Sequence, residues 1–124
     1  MRKPIVTVSN SSSHKVYIEG DPNWDDQKLL LNDKPMHGVH TLAPNHSVQL
    51  SVRDASAGNA GMMGVIFADG RGYNSGGAGF YQLTIGQSED GGLLDVTDGD
   101  GRAKVRYMVS QQTEWSMTMD FTNS

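Results

Sequence analysis

Four sets of residues carry side chains or backbones that could do chemistry. The first is SAGNAGMMG at residues 56–64, where Gly58, Gly61 and Gly64 recur at every third position. Glycine lets a backbone curl its N–H groups around a phosphate, but that device needs a helix N-terminus behind the loop. A Walker loop also requires Gly-Lys-Ser/Thr after four residues, and a dinucleotide fingerprint requires Gly-x-Gly-x-x-Gly. Neither run occurs, and the stretch leads into VIFADG, a strand-forming segment. It reads as a turn. Gly58 and Gly61 let the chain pass from SVQLSV to MGVIFA, and Gly64 marks a bulge or a close backbone approach.

The second set is the histidines. His37 and His40 form an H-x-x-H pair, with His46 or Asp33 as further ligands in principle. At a spacing of three, two strand residues face opposite sides, so ordinary surface or turn histidines are expected. The third set is acidic. DVTDGDGRA resembles a calcium loop, but the pattern needs an acid where Val96 stands and a closing Glu where Tyr107 stands. A hairpin turn accounts for it. Asp25–Asp26 and Glu89–Asp90 lie in turn-like segments and read as solvated pairs. Ser56 and Ser75 sit near glycines, yet neither fits Gly-x-Ser-x-Gly. No catalytic residue, metal or cofactor is expected, and the chain does not read as an enzyme.

The fourth set is aromatic. Trp24 sits in GDPNWDDQ, a polar segment without periodicity. A loop tryptophan either plugs the end of a core or is presented to a ligand. Its ring suits a membrane interface and a sugar face equally, because one end is apolar and the other can hydrogen-bond. Tyr73, Phe80 and Tyr81 cluster around NSGGAG. Phe80 and Tyr81 are adjacent, so one points into a core and the other is available to a partner. Trp115 is in register with Met117 and Met119 and reads as core.

These residues must be positioned by strands. Apolar residues alternate with polar ones in IVTV, HKVYIE, SVQLSVR, AKVRYMV and, most clearly, EWSMTMDF. That period of two predicts strands with one buried and one wet face. The inward sets are Val6 and Val8; Val16 and Ile18; Val48, Leu50 and Val52; Val105, Tyr107 and Val109; and Trp115, Met117, Met119 and Phe121. NSSS, DPN, NDKP, APN, ADG, EDGG and DGDG punctuate the runs as turns. Thirteen of the 15 glycines lie between Gly58 and Gly101, but VIFA, GFYQLTI and GLLDV within that stretch suit burial. WDDQKLLLND is the best helical candidate, and it is short. Strands at this spacing predict an all-β chain, an antiparallel β-sandwich or barrel.

Composition narrows the function. The 124 residues suit one domain over 1–124, and 36% apolar with 19% charged residues is the balance of a folded chain. The absence of cysteine excludes disulfides and thiolate zinc sites. The net charge of −4 and scattered basic residues exclude a basic nucleic-acid stripe. The apolar stretch in MRKPIVTVSN is too short for a signal peptide, which predicts synthesis in the cytoplasm. The Asn-x-Ser sequons at Asn10 and Asn45 read as chance matches.

LAPNHSVQLSVRDASAGNAGMMGVIFADG resembles the centre of the aegerolysin family. Pro44 leads a turn, Val48-Gln49-Leu50 alternate, Arg53 to Ala57 form a small-residue loop, and Gly61 and Gly64 bound the next strand. VTVSNSSSHKVYIE is similar to that family's opening hairpin, and the small aegerolysin-like bacterial insecticidal proteins look similar as well. The likeness covers roughly residues 4–70. It departs where the family has Trp-Gly, since Trp24 precedes Asp25, and where the family has a Cys-Pro-Trp core, since GFYQLTIGQSEDGG stands there. The resemblance implies an aegerolysin-like β-sandwich that binds membrane lipid. It further implies the small component of a two-part pore-forming toxin, released toward target-cell membranes and working with a larger partner protein. Trp24, Tyr73 and Tyr81 would contact the lipid. The alternative is a lectin-like module in which the same aromatics stack on a sugar.

Overall fold

A computed structural model describes residues 4–20, 29–36, 38–52, 63–68, 80–88, 91–98, 105–113 and 115–123. They form eleven strands: β1 (Ile5–Asn10), β2 (Val16–Gly20), β3 (Leu29–Leu31), β4 (Lys34–Pro35), β5 (Val39–Leu42), β6 (His46–Val52), β7 (Met63–Ala68), β8 (Phe80–Ser88), β9 (Gly91–Asp98), β10 (Val105–Ser110) and β11 (Ser116–Asn123). The expectation of an all-β chain is met, and no helix occurs among the described residues. WDDQKLLLND contributes a strand, Leu29–Leu31, rather than a helix.

The strands build two sheets. One has six strands in the order β10-β11-β1-β6-β3-β4; the other has five in the order β5-β2-β7-β8-β9. The five-stranded sheet is antiparallel throughout. The six-stranded sheet is mixed, which corrects the purely antiparallel expectation. β1 runs parallel to β11, with Val6 beside Met117 and Val8 beside Met119. A parallel pair needs a long crossover. First and last strands satisfy that condition, because almost the whole chain lies between them.

Alternation places the core. Val6 and Val8, Val16 and Ile18, Val48, Leu50 and Val52, Val105, and Met117, Met119 and Phe121 are all buried. They join Leu29, Leu42, Phe67, Leu83 and Ile85 in one cluster that draws on both sheets. The Phe67 ring of the five-stranded sheet lies 5.3 Å from the Phe121 ring of the six-stranded sheet, a separation typical of aromatic pairs.

Turn chemistry follows the sequence closely. Asn32 and Asp33 both adopt positive φ, 50° and 67°, as a type I′ hairpin between β3 and β4 requires. In Ala43-Pro44-Asn45-His46, Pro44 precedes Asn45 at φ 65°, and the His46 N–H donates to the Ala43 carbonyl at 3.2 Å. Pro at the second position and positive φ at the third are the signature of a type II turn.

Several expectations change. β1 and β2 do not form an opening hairpin: they belong to different sheets, and the NSSSH stretch carries the chain from one to the other. β6 and β7, on either side of SAGNAGMMG, are likewise in different sheets, so that glycine stretch does not join two paired strands. Gly58 and Gly61 themselves lie outside the described residues. Trp115 is only half-buried and precedes β11. Val109 is 37% exposed on β10, an edge strand of its sheet among the described residues. Ser51, expected on the wet face, is buried, and its hydroxyl donates to the Pro4 carbonyl at 2.8 Å.

Candidate functional site

The two ends of the strands differ in chemistry. At one end, here the corner end, lie Asn10, Val16, Leu42 and His46, together with Ala68, Phe80, Val105 and Asn123. Asn10 organises it. Its Nδ2 donates to the carbonyls of His14 at 2.7 Å and Leu42 at 2.9 Å. Its Oδ1 accepts from the Ser12 N–H at 3.0 Å and from the Ser12 hydroxyl at 2.6 Å. The side chain thus fills all four of its hydrogen-bonding positions while being almost wholly buried. That commitment also removes Asn10 as a glycosylation acceptor in the folded chain. Ser11 and Ser13 fasten the same corner to β11, through Asp120 Oδ1 at 2.8 Å and Asn123 Oδ1 at 3.1 Å. Among the described residues, those exposed here are polar: Ser11, Ser13, His14, Lys15, Asn45, His46 and Asn123.

The opposite end is the rim. Ile5, Gly20, Leu29, Val39, Val52 and Ser116 mark it. Ile5 is 39% exposed and Val39 46% exposed, each on the outer side of its own sheet. Trp115 stands half-buried next to Ile5, its carbonyl accepting from the Ile5 N–H at 2.9 Å. Gln111, Gln112 and Thr113 add exposed but uncharged groups. Charge is present as well: Glu19 is half-buried across from Val39, and Asp33 shares a depression with Ile5. On the outer face of the six-stranded sheet, a depression of about 310 Å³ opens next to Ile5, lined also by Asp33, Gln49, Leu50 and Ser51.

The three residues singled out as ligand contacts are not gathered in one place. Tyr81 lies at the corner end and packs against the core, its ring edge-on to Tyr107 at 4.9 Å and 6.2 Å from Phe121. Its hydroxyl donates to the Val105 carbonyl at 2.7 Å. Trp24 and Tyr73 lie outside the described residues. The described residues nearest to them in the sequence are Gly20 and Leu29 for Trp24, and Ala68 and Phe80 for Tyr73. Ile5 and Val39 were not singled out from the sequence, because single apolar residues at strand starts carry no signal until the ends of different strands are brought together.

Among the described residues, no group of three or more His, Cys, Asp or Glu could hold a metal ion. His40 is half-buried on β5, His46 is exposed, and His37 lies outside the described residues. No described helix is long and apolar enough to cross a membrane. No family model matches this sequence, and no match to a curated protein is found.

Proposed function

We propose that this chain is a β-sandwich module of the aegerolysin type that binds membrane lipid through its rim and serves as the small component of a two-part pore-forming system. The observation that carries the reading is the polarity difference between the two ends. Among the described residues, the rim exposes the apolar Ile5 and Val39, with Glu19 opposite Val39 and Asp33 near Ile5, whereas the corner end exposes polar side chains. Exposed apolar side chains at a strand end suit entry into a headgroup region. The core shared by both sheets supports the sandwich, and the sequence motifs from Pro44 to Gly64 support the family type.

The test is co-sedimentation with vesicles that vary sphingolipid, sterol and anionic lipid. Full burial of an aliphatic side chain is worth about 1.5–3 kcal/mol. Ile5 and Val39 expose 39% and 46% of their surfaces, so together they contribute about 1–2.5 kcal/mol to binding. Ile5→Ser with Val39→Ser should therefore weaken binding roughly five- to fifty-fold, with the melting transition little changed. Failure of the native chain to bind any of the vesicles would sink the reading. The depression beside Ile5 favours a second reading, a carbohydrate-binding module. Its Asp33 carboxylate and Gln49 amide beside the Ile5 side chain are groups that suit a sugar. Binding on a glycan array that Gln49→Ala abolishes, without vesicle binding, would select it.

A further inference from the structure

We draw no further inference here: the strongest candidate, the hydroxyl-bearing patch of Thr7, Ser9, Ser47 and Thr118 on the outer face of the six-stranded sheet, is a stripe of small polar side chains, and nothing in the structure shows what covers it.

Discussion

Replacing Asn10 tests how this chain is carried from one sheet to the other. Asn10 is 1% exposed and makes four side-chain hydrogen bonds. Asn10→Ala strands the Leu42 carbonyl and the Ser12 N–H in buried surroundings, while the part-buried His14 carbonyl can recruit water. Each buried group left unpaired costs about 1–3 kcal/mol, so the loss is about 3–5 kcal/mol once partial relaxation is allowed. For a domain of this size that lowers the melting temperature by roughly 10–20 °C, a large part of the ~5–15 kcal/mol that ordinary domains possess. Asn10→Asp is the sharper control. It keeps the shape, but it sets a carboxylate oxygen 2.7 Å and 2.9 Å from two carbonyl oxygens that now lack a donor. If hydrogen bonding holds the corner, Asp is at least as damaging as Ala; if packing holds it, Asp is nearly silent. Urea and thermal unfolding of the two variants, with the exposed Lys15→Ala as a surface reference, decide between them. A loss below about 1 kcal/mol for both would refute the reasoning, since it would mean that water or a small backbone shift satisfies the same groups.

Two further substitutions separate packing from ligand contact and relieve local strain. Tyr81→Phe removes the hydrogen bond to the Val105 carbonyl and should cost about 1 kcal/mol of stability, while vesicle binding per folded molecule stays unchanged; a selective loss of binding would return Tyr81 to the ligand surface. Gln111 holds φ 50° without being Gly or Asn, so Gln111→Gly should be neutral or raise stability by up to about 1 kcal/mol in chemical denaturation, and a clear loss would show that its side chain holds the β10–β11 turn.

The candidate site was less legible in the sequence than the fold. Tyr81 stood out as an aromatic beside a glycine-rich stretch, and it is the three-dimensional packing with Tyr107 and Phe121 that commits its ring and hydroxyl to the interior. Ile5 and Val39 are separated by 34 positions and belong to different sheets, so no local pattern could connect them. Trp115 continues the alternation of Met117 and Met119, yet it lies just outside β11, where the core no longer closes over it.

By itself the sequence determined the strands β1, β2 and β6 to β11, most of their buried faces and several turns, but it did not mark Leu29–Leu31, Lys34–Pro35 or Val39–Leu42 as strands. A period of two, and residues such as Asn32, Asp33 and Asn45 that tolerate positive φ, are local properties, expressed within a few residues of backbone. Only the tertiary structure decided which strands lie side by side. The parallel pairing of β1 with β11 and the division of β1 from β2 and of β6 from β7 between sheets depend on contacts between distant parts of the chain. Alternation says that a strand has an inside and an outside. It carries no label for the neighbour on either side, because backbone hydrogen bonds are the same for every pair. The neighbours are selected when all the apolar faces compete for one shared core.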